Sequence, residues 1–194
     1  CFFSKKPKKG KTLWFHGASV GEIKTIIPLI IEFEKRQNVK QILVTSNTLS
    51  SSHIISKYKL KKTIHQFFPI DINFFVKKFL NYWNPHLSIF VDSEIWPSMT
   101  LALKKKNIPL ILLNARITEK SYKRWLKFNN FAKYKFSKIK IAYPQNKETF
   151  HWRDKGHFEW NQPRDCKWGW EEVRIVGRCC KRWECGGPFV SSYR

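Results

Sequence analysis

The decapeptide Leu13–Glu22, LWFHGASVGE, restricts the fold of this chain more than any other stretch. It opens as a short apolar run, passes through a turn of small residues, and leads into a long amphipathic segment from Ile23 to Arg36. Such a sequence reads as strand, tight loop and helix N-terminus. Glu22 falls in the first helical turn, where backbone N–H groups lack partners and the helix dipole favours negative charge. Gly17 and Gly21 permit unusual backbone angles and close approach of a ligand. The unit thus delivers a carboxylate to a strand's carboxyl end, where open α/β sheets bind ligands. Helix stabilisation alone also accounts for an acid at this position, and the two readings stay open here.

The same grammar recurs to about residue 150. Gln41–Ser46 reads as a buried strand ending in hydroxyls, and Asn47–Tyr58 as a helix. Phe67–Ile70 reads as a short strand broken by Pro69, with Asp71 as N-cap of a helix running through Trp83 and stopped by Asn84-Pro85. Leu87–Val91 is the next strand; it ends in Asp92-Ser93-Glu94, and a helix opens near Trp96-Pro97. Leu110–Leu113 follows, ending in Asn114-Ala115-Arg116. Helical text covers Thr118–Trp125 and Phe128–Phe136, and Ile139–Tyr143 is the last strand. Repeated strand–helix units predict an α/β domain over residues 11–150, a parallel sheet with helices on both faces.

In such a sheet the carboxyl ends share one rim. That rim collects Ser19 and Glu22 from the first strand, Ser93 and Glu94 from the fourth, and Asn114 and Arg116 from the fifth. A carboxylate beside an acceptor hydroxyl can take its proton, and a guanidinium holds a phosphate or carboxylate. Arg116 serves equally as an ion-pair partner for Glu94.

The flanks differ from this domain. Residues 1–10 form a basic stub, Lys5-Lys6-Pro7-Lys8-Lys9, that reads as the end of something longer and leaves room for an N-terminal anchor. Residues 151–194 contain no Leu, no Ala and one Ile, with five of the nine Trp and four of the five Cys. No hydrophobic period survives there, so this irregular tail reads as out-of-frame or foreign text, not as a native domain. Its cysteines (166, 179, 180 and 185) and His157 lack paired C-x-x-C spacing, and no metal site is expected.

The formal charge of +23 calls for an anionic partner: nucleic acid, a membrane surface or a phosphorylated substrate. Lysines are dispersed and no nucleic-acid motif occurs, which argues against a basic nucleic-acid-binding module. No run of about 18 uncharged apolar residues is present. Lys104-Lys105-Lys106 reads as a solvated helix end, Trp96 as packing beneath the Glu94 loop, and His16 as packed or touching substrate. His53, His65 and His86 read as ordinary surface or core residues.

Four further segments, in order, sharpen this. Phe15–Glu22 (FHGASVGE) resembles the signature of the Kdo (3-deoxy-D-manno-octulosonic acid) transferases. Phe68-Pro69-Ile70-Asp71 resembles the family's F-P-x-D, and Ser93–Ser98 (SEIWPS) its E-x-E-I-W-P-N. Leu113–Thr118 with Ser121 resembles L-x-N-A-R-[LI]-S-x-x-S, and Gln145–Thr149 the close of the first domain. Gly17, Asp92 and Ser98 depart mildly, standing where the family usually has Ala, Glu and Asn.

The resemblance implies the N-terminal, Rossmann-like, acceptor-binding half of a GT-B glycosyltransferase that takes Kdo from CMP-Kdo to a lipid A precursor in lipopolysaccharide synthesis, without metal or other cofactor. It implies Glu22 as general base and Glu94 as transition-state support, with Gly17, Ser19, Gly21, Ser93, Asn114 and Arg116 binding acceptor. It also implies an anionic membrane surface as partner, at the cytoplasmic face of the cell inner membrane, and no nucleic acid. No nucleotide-binding G-N-L-K stretch follows, Val176-Gly177-Arg178 being a faint echo, so the chain as it stands is expected to be inactive. A non-catalytic membrane-associated scaffold is the remaining alternative.

Overall fold

A computed structural model describes residues 7–92, 96–115 and 139–144 of the chain. They form one sheet of six parallel strands in the order β3-β2-β1-β4-β5-β6. The strands are β1 (Lys11–His16), β2 (Val39–Ser46), β3 (Thr63–Phe67), β4 (Leu87–Val91), β5 (Leu110–Ala115) and β6 (Ile141–Pro144). The helices are α1 (Val20–Glu34), α2 (Leu49–Lys57), α3 (Asn73–Trp83) and α4 (Pro97–Lys105). This is the parallel sheet the alternating pattern predicts and the Rossmann-like arrangement the resemblance implies, with β1 at the centre and the chain order reversing beside it.

β1 lies between β2 and β4, paired with both: Phe15 stands opposite Val44 on one side and Ile89 on the other. Its side chains alternate between two buried faces, because a parallel sheet is covered on both sides. Trp14 faces α3 and α4 in a cluster with Val76, Phe79, Trp83, Phe90 and Met99. Phe15 faces the other way, its ring 6.0 Å from that of Phe33 in α1. Both rings are fully buried, each removing roughly 2–3 kcal/mol worth of apolar surface from water.

Helix ends follow the local chemistry. Ser19 and Thr48 cap α1 and α2 through their hydroxyls. Asn84 ends α3 in the left-handed conformation (φ 40°) that Asn tolerates, ahead of Pro85.

Two expectations need correction. The third strand is Thr63–Phe67, not Phe67–Ile70: the Phe68 N–H makes the last link, to the Ser46 carbonyl at 3.1 Å, and Pro69 has no N–H to continue. As an edge strand its residues are only half-buried, so it lacks the continuous apolar run of the inner strands. Asp71 does not cap α3 either. Ile72 occupies that N-cap position with no side-chain bond, and the Asp71 carboxylate turns to α4 instead.

Helix α1 also begins three residues earlier than the amphipathic pattern suggests, at Val20. The helices read over Thr118–Trp125 and Phe128–Phe136, and the tail from residue 151, lie outside the described residues. Among the described residues no helix is long and apolar enough to cross a membrane.

Two histidines tie the fold to pH. The Nδ1 of His86 accepts the Thr12 N–H at 3.3 Å, and burial together with the Lys11 ammonium lowers its pKa from the usual 6.5. Burial alone lowers that of His65, whose Nε2 lies 2.8 Å from the Ser46 hydroxyl. A lowered folded value means that the unfolded chain takes up protons first. The stability these groups contribute is therefore present above pH 6.5 and is lost as the pH falls through 6.5 towards the folded values. Scanning calorimetry should show a falling Tm on acidification from about pH 7.5 to 5.5. The double variant His65→Gln, His86→Asn, whose amides replace the bonded ring nitrogens, should show a visibly shallower fall; an equal slope would assign the acid sensitivity to other groups.

Candidate active site at the carboxyl rim

The Leu13–Glu22 unit ends in a small, closed hydrogen-bond system. Ser19 is the α1 N-cap: its hydroxyl accepts the Glu22 N–H at 3.3 Å and donates to Glu22 Oε1 at 2.7 Å. The other carboxylate oxygen, Oε2, accepts the Ala18 N–H at 2.8 Å. This is a capping box in which the acid reaches back one residue beyond the cap itself. A carboxylate offers about four lone-pair sites, and two are used here. Glu22 is half-buried, with its neighbours Ser19 and Gly21 exposed.

The two glycines do different things. Neither has the left-handed backbone expected of them; Gly10 alone does among the described glycines. A Cβ on Gly17 would meet the Glu22 Cβ at 3.1 Å and the Ile23 side chain at 3.2 Å, so its bare Cα lets α1 close over the loop. A Cβ on Gly21 would find only the Ser19 hydroxyl, at 3.8 Å, so the space around this exposed position is open.

The loop rests on a polar core beneath it. The Gly17 N–H donates to the Thr45 carbonyl at 3.1 Å. The Thr45 hydroxyl accepts from the Trp14 indole at 2.9 Å. His16 Nδ1 lies 3.2 Å from the Thr45 carbonyl and 3.0 Å from its hydroxyl. His16 is fully buried and its ring stacks on Phe68 at 4.0 Å, which makes it a packed residue beneath the loop.

The neighbouring strand ends meet the same rim. Asp92, after β4, and Asn114, in the last turn of β5, both adopt left-handed backbone (φ 60° and 54°). The Asp92 N–H is bonded to the Leu113 carbonyl at 2.9 Å. Ring contacts link Phe68, after β3, to His16 and to Trp96, the latter at 5.5 Å. Trp96 is half-buried against the core, as a packing residue. Of the expected rim residues, Gly17, Ser19, Gly21, Glu22 and Asn114 are thus found at strand ends on one edge of the sheet. Ser93, Glu94 and Arg116 lie outside the described residues.

Sequence reasoning missed the cross-sheet role of Asp71, for which the signal was its place in the F-P-x-D segment. A groove of about 290 Å³ between α3 and α4, bordered by Lys77, Ser98, Lys105 and Lys106, includes none of the Glu22 loop. Lys104, Lys105 and Lys106 are all exposed. Among the described residues no group of His, Cys, Asp and Glu could hold a metal ion.

Comparison with known proteins bears on what this rim serves. Residues 1–152 match the family model described as 3-deoxy-D-manno-octulosonic-acid transferase (kdotransferase). The chain belongs to the Kdo transferase family. It is similar to 3-deoxy-D-manno-octulosonic acid transferase of Rickettsia felis, at 41% identity over 142 residues, which are 72% of this chain and 30% of that protein. It is also similar to a probable mitochondrial 3-deoxy-D-manno-octulosonic acid transferase of Arabidopsis thaliana, at 37% over 116 residues (60% of the chain, 26% of the relative). The Haemophilus influenzae transferase matches at 28% over 134 residues (69% and 31%). The match to the Rickettsia felis relative spans about 30% of that protein's length.

The capping box makes Glu22 structural whatever else it does. Glu22→Ala should lower stability by about 1 kcal/mol, as loss of a cap typically does. Glu22→Gln, which keeps an oxygen for the Ala18 N–H, should lose clearly less. Urea unfolding of the two variants measures the difference, and equal losses would deny the carboxylate's role in holding the loop.

Proposed function

We propose that this Kdo transferase family domain is the acceptor-binding half of a GT-B enzyme moving Kdo from CMP-Kdo to a lipid A precursor. The reaction would belong to lipopolysaccharide synthesis, at the cytoplasmic face of the inner membrane. The observation that carries the reading is the half-buried Glu22 carboxylate at the carboxyl rim, held by Ala18 and Ser19 within the family-matching segment.

Glu22 acts as general base. One of its remaining lone pairs takes the proton of an acceptor sugar hydroxyl as that oxygen bonds to the anomeric carbon of Kdo. CMP departs with the electrons of the breaking ketosidic bond, and no metal is required. Holding the carboxylate by two donors removes its rotamer freedom before substrate arrives, which supports catalysis through orientation. Glu94, on the adjacent β4 loop, stabilises the positive charge that develops as the ketosidic bond opens.

Ser19, Gly21, Ser93, Asn114 and Arg116 form the acceptor-binding surface, while Gly17, which is buried, shapes the loop that carries Ser19 and Gly21. The open space at Gly21, next to the Ser19 hydroxyl, gives a sugar room on the loop. The cationic excess of residues 1–150 meets the acceptor's phosphates and the anionic membrane surface. Residues 1–10 are a basic stub, 11–150 the acceptor domain, and 151–194 text foreign to it.

A chimera tests this directly. Residues 1–149 replace the corresponding segment of the Rickettsia felis relative, and Kdo transfer from CMP-Kdo to a lipid A precursor is followed by mass spectrometry. The chimera should transfer, and Glu22→Gln should reduce kcat at least about 100-fold, the usual scale of general base catalysis, with unchanged circular dichroism. Near-normal turnover in that variant would remove Glu22 from the role of base. A folded chimera without transfer, beside an active parent, would overturn the assignment.

A further inference from the structure

Thr45, on β2, meets four consecutive residues at the end of β1. Its hydroxyl accepts the Trp14 indole N–H at 2.9 Å and donates to the Phe15 carbonyl at 3.4 Å. The same oxygen lies 3.0 Å from His16 Nδ1. The Thr45 carbonyl accepts the Gly17 N–H at 3.1 Å. Thr45, Trp14, Phe15 and His16 are all fully buried, so the polar groups gathered here depend on one residue of β2 for these bonds.

The grip continues into the loop. The Asn47 N–H, just past the end of β2, donates to the Ala18 carbonyl at 3.3 Å. The Ala18 N–H in turn holds Glu22 Oε2 at 2.8 Å, and the Ser19 hydroxyl holds Oε1 at 2.7 Å. Both donors on the carboxylate therefore sit within two residues of Gly17, the last residue bonded to Thr45. Gly17 has no side chain to anchor it, so its peptide follows the direction in which β1 delivers it.

Hydrogen bonds are directional, so turning the Ala18 N–H or the Ser19 hydroxyl turns the carboxylate they hold. A catalytic group displaced by about 1 Å can lose about 100-fold in rate, so a slight tilt of the loop is enough to matter. We propose that Thr45 is a positioning residue for Glu22: its hydroxyl fixes the last residues of β1 against β2 and so sets where the loop places the two donors that orient the carboxylate. The proposal rests on the transferase reading and on the role given there to Glu22.

The transferase chimera described above carries the test, by steady-state kinetics well below its Tm. Thr45→Val keeps the branched shape and removes the hydroxyl, whereas Thr45→Ser keeps the hydroxyl; the backbone carbonyl that holds Gly17 stays in both. Thr45→Val should lower kcat about tenfold, with acceptor KM within about twofold, and Thr45→Ser should stay within about twofold of the unsubstituted chimera. In a Glu22→Gln background Thr45→Val should cost less than about twofold, because a loss transmitted through Glu22 vanishes once Glu22 is disabled. Urea unfolding of the whole chain supplies a second cycle, free of catalysis. There Glu22→Ala should lower the midpoint by less in the Thr45→Val background than in the wild type, since the carboxylate's bonds are already misaligned.

Losses in kcat that multiply across Thr45→Val and Glu22→Gln overturn the proposal. So does an unchanged kcat in folded Thr45→Val, or an equal loss in Thr45→Ser, which assigns the effect to shape and not to the hydroxyl. Should Thr45→Val not fold, Thr45→Cys weakens the same bonds more gently. A smaller kcat loss that disappears with Glu22→Gln then supports the proposal, and no loss overturns it. Full activity of Glu22→Gln alone removes Glu22 as base and the proposal with it. A wild-type chimera without transfer fails the functional reading instead, and the unfolding cycle then decides whether Thr45 holds the Glu22 carboxylate: a reduced Glu22→Ala loss supports it, and additive losses overturn it.

Discussion

The arrangement on the rim depends on β1 being paired in parallel on both edges and buried on both faces. Parallel pairing with β2 and β4 brings three carboxyl ends side by side at one edge of the sheet. Two-sided burial fills the middle of the strand with Leu13, Trp14 and Phe15 and leaves its polar residues, Lys11, Thr12 and His16, towards the two ends. The transition is abrupt. Phe15 is fully buried, His16 is buried but hydrogen-bonded, and three residues later Ser19 is exposed. Thr45 on β2 makes that transition tolerable by meeting the Trp14 indole, the His16 ring and the Gly17 N–H from one residue. Without such partners each buried donor would cost about 1–3 kcal/mol.

The helix-stabilising role of Glu22 and its proposed role as base are compatible in this geometry. The capping box uses one lone pair on each oxygen and leaves acceptor capacity on a side chain that is only half-buried. The bonds that stabilise α1 are the same ones that hold the carboxylate in a single orientation. A side chain carrying out both tasks is fixed by folding and needs no separate ordering when substrate binds.

Most of the fold was legible because inner parallel strands are continuous apolar runs. β2, β4 and β5 stand where such runs stand, and the turns between them carry readable caps at Ser19, Thr48 and Asn84. The edge strand β3 was misplaced, because half-buried residues such as Thr63, His65 and Gln66 carry no comparable signal. Glu22 and Ser19 were legible as a loop because their partners lie within four residues of one another. The Asp71–α4 link was not, since its partners are 27 and 28 residues apart. Local rules assign an Asp before a helix to that helix. Here Ile72 takes the cap position instead, and only the tertiary fold shows which N-terminus the acid serves.

That mismatch has a physical consequence for how the rim is built. An Ile at an N-cap is among the poorest choices, and it leaves α3 without the cap that Asp71 would have supplied had the helix begun one residue earlier. The acid is used instead where it joins two elements on the same layer, α3 and α4, across the end of β4. A local cap stabilises one helix. A cap reaching from another loop stabilises a distance between loops, and distance is what a site assembled from separate strand ends lacks by default. The central strand fixes the order of the loops on the rim, while their spacing depends on side chains such as Phe68 and Asp71 that cross from one to the next.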